Sequence, residues 1–94
     1  MADAEKLAET FKLFSVEARI RIVQALKRRS LCVTELTSQL GISQKATSQH
    51  LRVLRDAGIV WFQKRGFHVY YSLDKQNMAL MHKTVSALYE PGNA

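Results

Sequence analysis

The sequence has few of the residues that mark disulfide-linked or membrane-spanning chains. Its 94 residues include one cysteine and one proline. Cys32 alone cannot form a disulfide bond within the chain, which excludes the class of small proteins that disulfides hold together. The longest apolar run, Ala57 to Phe62, is far shorter than the roughly 20 residues that a membrane helix needs. We therefore expect one compact domain over residues 1–94 and no membrane contact.

Acidic residues are scarce, and the excess of cations has a location. Fourteen Lys and Arg against eight Asp and Glu give a net charge of +6, which suits a polyanionic partner. Between Gln44 and His68 only Asp56 is acidic, and the cations there are Lys45, Arg52, Arg55, Lys64 and Arg65. The start of the chain is polar, without the apolar segment of a secretory signal, so we expect a cytoplasmic protein.

Apolar residues at three- and four-residue spacing predict two helices in the first third of the chain. The first runs from about Asp3 to Phe14. The second follows Ser15, a candidate N-cap, and ends at the three cations of residues 27–29, which suit a helix C-terminus.

Two further helices are separated by a turn. A short third helix begins at Thr34 and is stopped by Gly41. A fourth begins after the N-cap candidate Ser43 and runs to Ala57, with Gly58 as its stop. Its two faces differ in character: Thr47, Leu51 and Leu54 lie on one side, and Lys45, Ser48, Gln49 and Arg52 lie on the other.

The apolar period then changes from 3.6 to 2, which predicts a β-hairpin over residues 60–73 with its tip at residues 64–67. Gly66 supplies the freedom that the chain reversal needs. A fifth helix with a long apolar stripe ends before Pro91. The predicted fold is mainly α with a small β-hairpin: four helices, the hairpin and a last helix, a winged helix-turn-helix.

A short helix, a turn and a second helix with a polar outer face is the arrangement that places the second helix in the DNA major groove. Amide side chains can recognise adenine, Arg and Lys can meet guanine or phosphate, and hydroxyl groups can hold phosphate oxygens. Cations near the hairpin tip can reach the adjacent minor groove. The candidate contacts with double-stranded DNA are Ser43, Gln44, Lys45, Thr47, Ser48, Gln49, His50, Arg52, Lys64 and Arg65. For His50 the alternative is a partly buried, hydrogen-bonded histidine.

Four segments of the chain resemble the ArsR/SmtB repressors: residues 13–22, Val33-Thr34-Glu35-Leu36, residues 43–60 and Val69-Tyr70-Tyr71-Ser72-Leu73. The stretch from residue 43 to residue 60 is the most specific. The resemblance implies a winged-helix homodimer that joins through its first and last helices, binds an inverted repeat and is released by an inducer. The two apolar stripes favour a dimer independently, because a small domain has little use for both in its own core. The expected interface residues are Leu7, Phe11, Met78, Met81, His82, Val85, Leu88 and Tyr89.

The sensor sites that this resemblance implies are incomplete. Arsenic-sensing members carry Cys-Val-Cys where this chain has Cys32, Val33 and Thr34, and one thiolate makes a weak site for a soft metal. Zinc-sensing members use two histidines and two carboxylates at the positions that correspond here to Asp74, Gln76, Ala87 and Glu90. We expect neither metal site, no cofactor and an unknown inducer. Cys32 is a candidate redox residue, and its alternative role is that of a small buried hydrophobe.

Catalytic motifs are missing from the sequence. It contains no phosphate-binding loop, nucleophile elbow or paired-carboxylate motif, and His50, His68 and His82 are dispersed. We expect a transcriptional regulator and no enzyme. The alternative is a winged-helix module that docks proteins or binds RNA without operator specificity. The sequence names neither the operator nor the regulated genes, and it does not separate repression from activation.

Overall fold

The computed structural model describes residues 3–92. In that part of the chain, five helices and three strands follow one another. They are α1 (Asp3–Leu13), α2 (Glu17–Leu26), β1 (Leu31–Cys32), α3 (Val33–Leu40), α4 (Gln44–Asp56), β2 (Val60–Arg65), β3 (His68–Leu73) and α5 (Lys75–Tyr89). The prediction of a mainly helical chain with a hairpin between the fourth and fifth helices is confirmed.

The starts of two helices differ from the prediction. The N-cap of α2 is Val16, in an extended conformation, because the hydroxyl of Ser15 donates instead to the carbonyl of Lys12 at 2.7 Å. Helix α3 begins at Val33 rather than Thr34, with Cys32 as its N-cap. There the carboxylate of Glu35 accepts a hydrogen bond from the backbone N–H of Cys32 at 3.1 Å, so the first turn closes one residue earlier.

Two glycines end helices as predicted. Gly41 follows α3 with φ of +68°, and Gly58 follows the end of α4 with φ of +76°. This left-handed conformation is the usual helix stop, and it is strained for any residue with a Cβ atom.

The hairpin is part of a three-stranded antiparallel sheet in the order β1-β3-β2. The two residues of β1 were not predicted as a strand, and Cys32 pairs there with Tyr70. The hairpin tip is also shorter than predicted: Arg65 pairs with His68, so the turn contains only Gly66 and Phe67. Gly66 has φ of +62° at the first turn position, as type II′ hairpin turns require.

The core lies where α2, α3 and α4 meet the base of the sheet. Its buried members are Leu13, Ile22, Val23, Leu26, Leu31, Leu36, Leu40, Leu51, Leu54, Ile59 and Val60. Helix α1 contributes one buried residue and α5 contributes none. Along the described residues, no helix is both long and apolar enough to cross a membrane.

Candidate nucleic-acid interface

Helices α3 and α4 are joined by a hydrogen bond between two threonine hydroxyls. Thr37 donates to the hydroxyl of Thr47 at 2.9 Å, and Thr47 in turn donates to the carbonyl of Ser43 at 3.0 Å. The side chain of Thr47 is fully buried. This corrects the expectation that Thr47 contacts DNA, because its hydroxyl is already used inside the protein and lies out of reach of a phosphate.

The end of α3 is held from α2. The guanidinium of Arg21 donates to the carbonyl of Leu40 at 3.1 Å and to that of Gln39 at 3.2 Å. The last carbonyls of a helix have no partner within the helix, so these bonds satisfy two of them. Together with the threonine pair, Arg21 fixes the angle at which α4 leaves the turn.

The first turn of α4 is capped and faces solvent. The hydroxyl of Ser43 accepts a hydrogen bond from the backbone N–H of Ala46 at 3.0 Å, which confirms it as the N-cap. No acidic residue lies in this turn. The positive end of the helix dipole is therefore available to a phosphate.

The outer face of α4 is polar and exposed along its length. Leu51 and Leu54 are fully buried on the opposite face, as predicted. Because these leucines fix the rotation of the helix, the side chains three and four residues apart on the other side point away from the core. The exposed side chains on α4 that sequence analysis singled out are Gln44, Lys45, Ser48, Gln49 and Arg52.

His50 lies between the two faces. It is half-buried, and its Nδ1 atom accepts a hydrogen bond of 3.4 Å from the guanidinium of Arg19 on α2. Burial and then the charge of Arg19 lower the pKa of His50 below its usual value of 6.5. The histidine is therefore neutral near pH 7, and this geometry favours a packing role over base recognition.

The hairpin, or wing (residues 60–73), presents its cations at the end far from the core. Lys64 and Arg65 are exposed on the last two positions of β2. Arg65 lies over the ring of Tyr70 at 5.4 Å from its centroid, and Arg55 of α4 lies over Phe62 at 4.8 Å. These cation–π contacts orient Arg65 and join the wing to α4.

A second connection ties the end of α4 to the start of α5. The side-chain amide of Asn77 donates to the carbonyl of Gly58 at 2.9 Å, and the backbone N–H of Asp74 donates to the carbonyl of Ile59 at 2.8 Å. A Cβ atom at Gly58 would lie 2.9 Å from the Asn77 amide nitrogen. Glycine at position 58 thus allows both the positive φ and the close approach of the Asn77 side chain.

Helices α1 and α5 leave much of their apolar surface uncovered. Phe11 is 40% exposed, Leu88 is 53% exposed and Tyr89 is 73% exposed. Met78 and Met81 are partly buried against the core of their own chain. Leu80, which sequence analysis did not select, is 58% exposed on α5.

Two of the candidate sensor residues, Cys32 and Asp74, have structural roles in the fold. Cys32 is 7% exposed in strand β1, in keeping with a small buried hydrophobe. The carboxylate of Asp74 caps α5 by accepting a hydrogen bond from the backbone N–H of Asn77 at 3.0 Å. Within residues 3–92, no three His, Cys, Asp or Glu side chains come together in a way that could hold a metal ion.

Sequence reasoning missed three residues of this interface. Arg21 braces the end of α3 and Asn77 braces the end of α4, and nothing in a single sequence marks a side chain that bonds to a distant carbonyl. Phe67 is fully exposed in the wing turn. Phe67 could have been selected from the sequence, because an aromatic side chain beside the glycine of a hairpin turn has few neighbours to pack against.

Comparison with known proteins identifies the family. Residues 17–61, which contain the helix-turn-helix, match the family model described as "Bacterial regulatory protein, arsR family". The transcriptional activator HlyU of Vibrio cholerae is 34% identical over 91 residues, covering 97% of this chain and 84% of that protein. The chain belongs to the arsR family. The resemblance stated from the sequence is thereby confirmed.

Other members of the arsR family agree with this assignment. The transcriptional repressor SmtB homolog of Synechocystis is 34% identical over 83 residues, which cover 88% of the present chain. The chain spans 63% of that relative's length. A crystal structure described as a possible transcriptional regulator for arsenical resistance superposes with a TM-score of 0.78 at 34% identity, over 85% of this chain and 83% of the other.

These relatives confirm two predictions. The chain, with its order of four helices, wing and last helix, superposes on that regulator structure over most of both chains, which confirms the winged helix-turn-helix fold. The relatives are named as transcriptional regulators, so the choice of a regulator over an enzyme is confirmed at the level of the family.

Proposed function

We propose that this arsR-family chain is a homodimeric transcriptional repressor that recognises an inverted-repeat operator through α4. The observation that carries the proposal is the exposed polar face of α4 on a helix-turn-helix whose angle is fixed by the Thr37–Thr47 hydrogen bond. A recognition helix must be held rigidly, because base contacts depend on placement to within a fraction of an ångström.

The side chains on that face match the chemistry of base edges. Gln44 and Gln49 each carry a donor and an acceptor, which bidentate contact with adenine requires. Lys45 and Arg52 suit guanine or the phosphate backbone, while Ser48 can donate to a phosphate oxygen. In this assignment Gln49 and Arg52, one turn apart from each other and further from the capped end, read the bases.

The wing supplies a second, sequence-tolerant contact. Lys64 and Arg65 extend beyond the core on paired strands, so they reach outward without depending on a flexible loop. With α4 in the major groove, these cations contact the adjacent minor groove and its phosphates. Each such contact releases counterions and makes the affinity dependent on salt.

The dimer follows from the uncovered faces of α1 and α5. The 15-residue helix α5 has no fully buried residue, and only Met78 and Met81 on it pack against the core of its own chain. Packing two copies around a two-fold axis buries these faces and places two α4 helices about 34 Å apart, one turn of DNA. The interface residues are those expected from the sequence, with Leu80 added at its edge.

The relatives differ in the direction of regulation, and the assignment of repression follows the repressors among them. The SmtB homolog is named a repressor, whereas the HlyU relative is named an activator. We assign repression, with release controlled by something other than the two metal sites expected from the resemblance. A promoter fusion tests the sign: reporter expression should rise when the gene for this chain is deleted, and a fall would identify an activator.

The experiment that tests the function is a binding titration. Fluorescence anisotropy is measured with a library of inverted-repeat duplexes at two salt concentrations, alongside random duplexes and a single-stranded RNA of equal length. We expect tight, salt-dependent binding to a subset of inverted repeats. Equal binding to all duplexes, or preference for the RNA, would replace the repressor with the docking or RNA-binding module.

A further inference from the structure

Phe67 is the most exposed large apolar side chain of the described chain. Its relative exposure is 103%, so its ring touches nothing in its own chain. The two other aromatics exposed on the wing, Trp61 and Phe62, are each less than half exposed and lie at its base. Since Phe67 adds no packing energy to the fold, its ring is free to serve contact with another molecule.

The wing holds the backbone at Phe67 in a defined position. All six residue pairs from Val60–Leu73 to Arg65–His68 are in register, and the turn has only two residues. Gly66 takes up the positive φ of the turn, which leaves Phe67 in an ordinary backbone conformation. The backbone at Phe67 therefore loses little conformational entropy on binding.

The surroundings of Phe67 select an anionic partner. Lys64 and Arg65 precede it, and residues 60–73 contain no acidic side chain. Tyr70 holds the guanidinium of Arg65 beside the turn. An apolar ring beside these cations fits the DNA minor groove, where phosphates line the rims and apolar side chains can insert between stacked bases.

We propose that Phe67 inserts as an apolar wedge at a base step of the minor groove contacted by the wing. This inference rests on the proposed DNA-binding function and adds a specificity element to it. Pyrimidine–purine steps such as TA unstack easily, whereas A-tracts are stiff. The wedge therefore selects operators with a flexible step at the wing position, without any hydrogen bond to a base.

The test uses the duplex that the wild-type 94-residue chain selects from the inverted-repeat library. The fluorescent base 2-aminopurine replaces adenine at successive steps of the flanking minor groove, and its emission rises when stacking is lost. Affinities are compared for duplexes with a TA step or an A-tract at the responsive position. The variants are Phe67→Ala, Phe67→Leu, which keeps a wedge, and Gln63→Ala, a control on the same wing.

For the wild-type chain and Phe67→Leu we expect the emission to rise at one step on each side of the operator. Phe67→Ala should lose this rise and on the order of tenfold in affinity for the TA duplex, with little change for the A-tract duplex. Gln63→Ala should behave as wild type.

Three results would overturn the wedge. If Phe67→Ala binds operator and raises emission as wild type does, the wedge is wrong while DNA binding stands. If the wild-type chain selects no duplex at all, the proposed function fails and the wedge with it. If Phe67→Ala loses binding to vesicles of anionic lipid but not to DNA, the ring serves a membrane surface.

Discussion

The hydroxyl of Thr37 on α3 donates a 2.9 Å hydrogen bond to the hydroxyl of Thr47 on α4, at the point where the two helices of the DNA-binding unit cross. Thr47 is fully buried and donates its own hydrogen bond to the carbonyl of Ser43. The Thr47 hydroxyl thus accepts a hydrogen bond from α3 and donates one to the N-cap residue of its own helix. The orientation of the exposed face of α4 depends on this pair.

Replacement of Thr47 by valine should lower the free energy of unfolding by about 1 kcal/mol, because the shape is kept while two hydrogen bonds are lost. Thr47→Ser keeps the hydroxyl and should keep operator affinity within about twofold of wild type. Urea denaturation and anisotropy measure the two quantities. If stably folded Thr47→Val loses much more operator affinity than Thr37→Val, which breaks the same pair, the hydroxyl of Thr47 would be restored as a DNA contact.

Stability should fall as the pH is lowered through the range in which histidine titrates. The pKa of His50 is lowered by burial and by Arg19, so the unfolded chain takes up its proton at a higher pH than the folded chain. Proton uptake then favours the unfolded state, and this loss begins near the usual histidine value and grows as the pH falls.

His50→Gln removes that titration and should reduce the loss of stability between about pH 7 and pH 5. His68→Gln, which changes an exposed wing histidine, is the matched control and should show the wild-type loss. Denaturant midpoints across the pH range provide the measurement. An unchanged slope in His50→Gln would show that the Arg19–His50 contact does not carry the effect.

Removing a wing cation should weaken binding to all sequences alike. For Lys64→Gln, the slope of log affinity against log salt should fall by about one, since one phosphate contact is lost. Lys12→Gln on α1 makes the same change in net charge away from the proposed DNA interface. If both variants lower the slope equally, net charge rather than a wing contact sets the salt dependence.

Charge placed on the exposed face of α5 should dissociate the dimer. Leu88 is 53% exposed, and two copies of Leu88→Glu would face each other in a low-dielectric interface. Sedimentation should show a shift to monomer at concentrations at which the wild-type chain is dimeric. Lys83→Gln alters the charge equally on α5 and should remain dimeric, whereas a dimeric Leu88→Glu would place the interface elsewhere.

The helices and their stops could be predicted from local chemistry. Gly41 and Gly58 end helices because of their own backbone freedom, and Ser43 caps α4 through a bond to a residue three positions away. Such signals lie within one turn of the chain. The family resemblance was concentrated in the same segment, which is why fold and family were both predictable.

The features that were missed depend on distant partners. Strand β1 has two residues and exists because β3 pairs with it, so no periodicity could mark it. Thr47 was expected both to pack and to meet phosphate, and only its position against Thr37 decides between these roles. Ser15 was expected to cap α2, but a carbonyl of α1 competes for its hydroxyl.

Base recognition by α4 is tested by the specificity ratio of Gln49→Ala, the affinity for the selected operator divided by that for random DNA. Gln49 is exposed on α4, and within residues 3–92 its side chain forms no hydrogen bond. Gln39→Ala on α3 is the control. Gln49→Ala should lose roughly 1 to 3 kcal/mol of operator preference while its affinity for random DNA stays the same. Equal losses on operator and random DNA would contradict base recognition by α4.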